Sequence, residues 1–226
     1  MTQNAWNTDF PGTNGQLLIG QASGSPVAAL PTGSSTFTVT GGAGSLTLAA
    51  PDSATDWVKI STGTASGSAS IAFTGLSSTY RVYRVVMNNV QGAVDGGYLY
   101  MQTSTNNGST YDSGSSDYQW SLLWNGWNGI GQNVDTADTL MRLTNTNMGS
   151  GTNEKLSGEV RIYSPSSTTY TFITAEVVYP DSLSASRYTL LSNGYRQSAA
   201  DVDAIRFVHS NGNLSTGTFV LYGQTA

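Results

Sequence analysis

The sequence contains no cysteine. Disulfides, thiolate metal sites and cysteine nucleophiles are excluded together, so stability must come from packing, β-ladder hydrogen bonds or association of copies. Charge is also scarce. Only 10% of the 226 residues are Asp, Glu, Lys or Arg, against roughly 25% in an ordinary soluble domain. The nine basic residues are scattered, with Arg81 and Arg84 the densest grouping, and the net charge is −5. That distribution lacks the electrostatic footprint of a nucleic-acid binder. No apolar run approaches the roughly 18 residues of a membrane span, so no membrane insertion is expected. The opening residues MTQNAWNTDFPG have neither the basic nor the apolar region of a signal peptide. The chain is expected to be made in a cytoplasm and not to leave by the standard secretory route.

Helical periodicity is missing too, because Gly, Ser, Thr and Asn interrupt nearly every window. A single helical turn near SAADVDA, within 195–205, is the one candidate. What fills the chain is Ser, Thr, Asn, Gln and 26 glycines. Such a surface hydrogen-bonds without charge and suits packing against protein or contact with neutral polar ligands such as sugars.

The pattern predicts an all-β protein in two parts. Residues 1–50 form an N-terminal extended arm, poor in bulky side chains. It carries the apolar run Leu17-Leu18-Ile19 and a β-hairpin in which Thr36–Thr40 and Ser45–Ala49 alternate around Gly41–Gly44. Phe37, Val39, Leu46 and Leu48 share one face of that hairpin. A lone hairpin is marginal in water, so these residues and Leu17, Leu18 and Ile19 are candidates for anchoring or trimerisation. The alternative is that the hairpin folds back on its own domain. Residues 51–226 read as an antiparallel β-sandwich, jelly-roll-like, built from many short strands. Candidate strands are Trp57–Ser61, Ser70–Thr74, Tyr80–Asn88, Tyr98–Thr103, Tyr118–Trp124, Thr139–Thr144, Gly158–Tyr163, Tyr170–Tyr179, Tyr188–Leu191, Ala204–His209 and Thr218–Tyr222. Turns are expected at NNGS 106–109, SNG 192–194 and SNGN 210–213. No internal repeat argues for a propeller or solenoid.

Catalytic equipment is thin. His209 is the one histidine and shares a strand face with Ile205 and Phe207, which predicts a structural role. No GxSxG, HExxH or P-loop pattern accompanies it. Two carboxylates suffice for glycoside hydrolysis, but Glu159 lies two residues from Arg161 and reads as an exposed ion pair. Glu176 sits mid-strand on the Phe172/Val178 face. Asp112–Asp117 resembles a calcium loop only loosely and reads as a plain loop. No catalytic residue, cofactor or metal is predicted.

The most distinctive stretch is Tyr118–Gly129, where three of five tryptophans fall within eight residues. Tyr118, Trp120, Trp124, Trp127 and Asn128 are candidate glycan contacts, since rings stack on sugar C–H faces and amides bind hydroxyls. The competing reading makes Trp120 and Trp124 core or subunit-interface anchors.

Gly15–Gly20, Ser25-Pro26, Ala29-Leu30, Gly33, Phe37–Thr40 and Gly41–Leu48 together resemble a module common in tailed-bacteriophage fibre proteins. Further likeness to phage virion modules lies in Ser70–Phe73, Gly97–Ser104 with Asn107–Tyr111, Asp203–Phe207, Gly212-Asn213 and Gly217–Gly223. The resemblance implies a homotrimeric, non-enzymatic virion component whose partners are other copies of itself, other tail or capsid proteins, and a host surface glycan. It carries no catalytic residues across. Long tail fibres have many shaft repeats and this chain has one module, so a short fibre, a tip or a capsid-attached decoration (head fibre) is expected. A free lectin domain or a small glycan depolymerase using Glu176 is the alternative from outside the virion.

Overall fold

The computed structural model describes residues 57–127, 129–145, 147–183 and 186–224, together with the backbone of four short strands between 17 and 49. The chain divides into two compact units, Met1–Ser53 and Ala54–Ala226. In the first, β1 (Leu17–Ile19) pairs antiparallel with β2 (Val27–Ala29), and β3 (Thr38–Gly42) with β4 (Ser45–Ala49). Val39 lies opposite Leu48 and Gly41 opposite Leu46. The side chains of Leu17, Leu18, Ile19, Val39, Leu46 and Leu48, and Phe37 altogether, lie outside the described residues.

The second unit is all-β, with no helix among its described residues. The one candidate for a helical turn, near 195–205, is not helical. Tyr195 and Arg196 end one strand and Ala204 begins another, with bends between. The strands are β5 (Trp57–Ser68), β6 (Ile71–Thr74), β7 (Val82–Gly92), β8 (Leu99–Ser104), β9 (Tyr118–Gly126), β10 (Gly129–Asp138), β11 (Met141–Arg142), β12 (Leu156–Tyr163), β13 (Phe172–Pro180), β14 (Arg187–Arg196), β15 (Ala204–His209) and β16 (Leu214–Gln224). Eight form a wide sheet in the order β10-β9-β14-β13-β12-β7-β16-β5. Four form a narrow sheet in the order β11-β8-β15-β6. Every pairing is antiparallel.

One core lies between the sheets. Alternation decides which side chains enter it, because successive residues of a strand point to opposite faces. In β13, Ile173, Ala175, Val177 and Tyr179 are buried, while Phe172, Glu176 and Val178 are exposed. Val85 and Met87 of β7 and Val160 and Ile162 of β12 meet Leu99, Met101, Ile205 and Phe207 of the narrow sheet in one buried cluster. The rings of Phe207 and Phe219 sit 5.1 Å apart, one from each sheet. Full burial of each such side chain contributes about 1.5–3 kcal/mol. Polar ties cross the layers as well: the Ser192 hydroxyl on β14 donates to the Arg142 carbonyl on β11 at 2.7 Å.

One expected turn is absent and another is present. The SNG at 192–194 is not a turn but the middle of β14, paired with β9 on one side and β13 on the other. Gly194 is needed there for close approach, since a Cβ would meet the Gln119 carbonyl oxygen and the Met141 sulfur. The NNGS at 106–109 does turn, with Asn107 and Gly108 both at positive φ, 55° and 81°, as a tight two-residue turn requires.

Candidate functional site: the outer face of the wide sheet

The aromatic stretch splits across a strand and its turn. Residues of β9 alternate, so Tyr118, Trp120, Leu122 and Trp124 face inward, and Ser121, Leu123 and Asn125 face out. Tyr118 is fully buried. Its hydroxyl accepts from the Thr103 N–H at 2.7 Å and lies 2.9 Å from the Thr103 hydroxyl, tying β9 to β8. Burial pushes the phenol's pKa above its ordinary value. Trp120 is 5% exposed; its Nε1–H donates to Asp138 Oδ2 at 2.9 Å. Both positions are corrected here: as core anchors they offer no ring to a ligand. Trp124 is half-buried, edge-on to Tyr188 with ring centroids 5.8 Å apart. Its ring also covers Gly131, where a Cβ would overlap it. Trp127 is different. It follows β9 in the turn toward β10 and is 80% exposed. Asn128 lies outside the described residues.

The outer face of the wide sheet carries the rest of the candidate chemistry. Register places Leu123 beside Leu191, Leu191 beside Glu176, and Glu176 beside Glu159. Leu123, Leu191, Val178, Ile130 and Val134 are all exposed. Glu159 is neutralised by Arg161 at 2.6 Å and Arg84 at 3.8 Å; hydrogen bonding to that carboxylate raises the Arg161 pKa. The expected Glu159–Arg161 surface pair is therefore present. Glu176 is exposed on the Phe172/Val178 face, and its carboxylate has no hydrogen-bond or ion-pair partner among the described residues.

Three depressions succeed one another along this face. The largest, about 610 Å³, lies where the 151–155 loop meets the ends of β13 and β14, and Lys155, Val178 and Arg187 help line it. Sharing Ser157 and Val178 with it, a second of about 280 Å³ lies over Glu159 and Glu176. The third, about 300 Å³, continues from those glutamates to Arg161 and Asn193. Sequence reasoning singled out neither Lys155 nor Arg187. They are distant along the chain and meet only because β12, β13 and β14 run as consecutive antiparallel neighbours.

No protein-family model, no curated protein and no solved structure matches the chain. Chemistry must be judged from the residues themselves. His209 is buried, and its Nδ1 lies 3.2 Å from the Asn211 carbonyl rather than beside a carboxylate or a nucleophile. Asp112, in the loose calcium-like loop, is committed to Arg196: Oδ2 accepts from Nε at 2.7 Å and Oδ1 from Nη2 at 3.1 Å. Thr103 donates to the same carboxylate at 2.6 Å. Asp117 accepts from the Gly114 N–H at 2.6 Å. Each carboxylate of that loop is thus already bonded within the protein, and no group of three metal-ligating side chains occurs among the described residues. The outer face thus carries an acceptor and donors without carboxylate or ion-pair partners among the described residues beside a row of shallow depressions, and the exposed Trp127 indole lies in the β9–β10 turn.

Proposed function

We propose that this chain is a non-enzymatic structural component of a bacteriophage virion, a trimeric fibre or spike subunit of the tail-fibre type that attaches to the host surface. The observation that carries the reading is the strand order. With the β9–β10 and β13–β14 pairs set aside, the sheets reduce to β5-β16-β7-β12 and β6-β15-β8-β11. The first strand then pairs with the last, the second with the last but one, and the chain winds between layers as in an eight-stranded jelly roll. That architecture serves capsid and lectin domains alike, so the analogy supports a holding or adhesive role and no particular reaction. The arm's likeness to phage fibre modules adds the virion context, and a cysteine-free chain needs no oxidising compartment to fold.

Native mass spectrometry of the full chain tests the assembly, with a species of three chains expected. Electron microscopy of the particle tests the position. A handful of copies at the tail supports the fibre; dozens at capsid symmetry axes convert it to a decoration or head-fibre protein. A stable monomer absent from any particle overturns the proposal. The exposed Trp127 favours a second reading, a carbohydrate-binding lectin domain acting alone, which predicts glycan binding by that monomer.

A further inference from the structure

We infer that the cavity beside the 151–155 loop binds the acidic group of an anionic surface saccharide, with Lys155 and Arg187 holding its carboxylate or phosphate. This rests on the adhesive role proposed for the chain.

The first support is the distribution of cations. Five of the nine basic side chains are already engaged. Arg84 and Arg161 meet Glu159, and Arg196 meets Asp112. Arg142 donates to the Thr144 and Asn145 carbonyls and lies over the Tyr98 ring. Arg206 bonds Gln102 and lies over Tyr111. Lys155 and Arg187 have no carboxylate partner among the described residues, yet they line the same cavity. Glu154 lines the same cavity, and its carboxylate is engaged within its own loop: Oε2 accepts from the Gly151 N–H at 2.8 Å. In a chain of net charge −5, two cations without a carboxylate partner and one loop-bonded carboxylate leave this hollow a local positive excess that suits an anion. A volume of about 610 Å³ falls within the range of small-ligand sites.

The second support lies in the channel that leads on from the cavity. It passes Ser157 and Val178 and reaches the Glu159–Glu176 pair. Glu176 offers an unpartnered carboxylate, a strong acceptor for hydroxyls and a repulsive neighbour for anions. An occupant charged at every unit, such as a nucleic acid, would place negative charge over these glutamates. An occupant with an acid at one unit and hydroxyls at the next satisfies both ends. An acidic oligosaccharide has that alternation.

Calorimetric titration of the full chain tests this with four probes: a hyaluronan tetrasaccharide, with an acid on every second sugar, for the carboxylate, trehalose 6-phosphate for the phosphate, neutral maltotriose, and tetraglutamate. Saturable binding of either acidic glycan-type probe is expected, at least about tenfold tighter than maltotriose and weakened by salt. Whichever of the two binds identifies the acidic group. The K155Q/R187Q double variant should lose about tenfold or more with an unchanged melting temperature. Three results would each overturn the site: no binding of either acid up to about 10 mM, affinity unmoved by the double variant, or tetraglutamate binding as tightly as the glycans. A trimer found on a particle but blind to these probes removes the site and leaves the virion role standing; a monomer that binds them does the reverse.

Discussion

Mild acid should destabilise the β domain through one imidazole. His209 is 6% exposed and ends β15 beneath the 92–97 turn. Its ring fills the space over Gly92 and Gly97, where a Cβ would overlap it. Nδ1 faces the Asn211 carbonyl at 3.2 Å. Nε2 is buried with no partner in hydrogen-bonding geometry, although the Gly97 backbone lies alongside. The nearby carboxylate of Asp95 is committed to the Ser150 N–H at 2.6 Å and the Ser150 hydroxyl at 2.9 Å. Burial therefore lowers the His209 pKa below its ordinary value of 6.5.

Linkage sets the sign. The folded state keeps His209 neutral while the unfolded chain takes up a proton as pH falls through 6.5. Stability from this residue is complete well above pH 6.5 and is lost as pH drops from there toward the folded pKa. The limiting slope is about 1.4 kcal/mol per pH unit, so the loss between pH 7 and 5.5 reaches at most about 1.2 kcal/mol. Urea unfolding of the parent and of H209Q at both pH values isolates the effect, because carboxylate titration is common to both proteins. The parent should lose up to that amount more than the variant. With one histidine in the chain, its ring resonance reports the folded pKa directly by NMR. A value at or above 6.5, or equal acid sensitivity of the two proteins, refutes the argument.

Other perturbations have equally definite outcomes. D112N leaves the largely buried Arg196 guanidinium without its bidentate partner; a loss of about 3 kcal/mol should appear in calorimetry as a drop of roughly 6–12 °C in Tm. F207A empties the centre of the core, where the ring contacts Phe219, and should cost about 3–5 kcal/mol by urea titration. W127A should change stability by less than about 0.5 kcal/mol, since the indole is exposed, while removing the fluorescence component that is most accessible to acrylamide among the described tryptophans.

Strands with bulky alternation were legible in the sequence; strands held by their neighbours were not. In β13, Ile173, Ala175, Val177 and Tyr179 announce a buried face. In β10, only Ile130 and Val134 are bulky and both are exposed, so nothing in Gly129–Asp138 marks a strand. It extends because β9 offers it a ladder, from Gly126 opposite Gly129 to Tyr118 opposite Asp138. The two-residue period put Tyr118, Trp120, Leu122 and Trp124 on one face but could not say which face points inward. That depends on the narrow sheet, which a local pattern does not contain. The Gly and Asn around Trp127 marked a loop, but whether its ring is exposed or packed was not legible there. The Lys155–Arg187 pairing was not, because it arises from the register that carries Ser157 to Val178 and Pro180 to Arg187.

The unequal sheets explain why Trp120 and Trp124 serve the interior. Four strands cannot cover the inner face of eight, and an uncovered apolar face is unstable in water. Large rings and a loop supply the missing layer. Tyr179 stacks on Tyr188 with centroids 6.3 Å apart, and Tyr188 meets Trp124. The Asn145 N–H donates to the Tyr179 hydroxyl at 3.0 Å. Arg142 lies between Tyr98 and Trp120, 4.0 and 5.6 Å from their ring centroids. The same strands that demand this aromatic filling, β9, β13 and β14, present their opposite faces outward. An inward aromatic face and an outward polar channel are thus two sides of one widening of the sheet. On that account the aromatic signal in the sequence marks the support of the outer face, and the polar residues opposite it mark the candidate site proposed there.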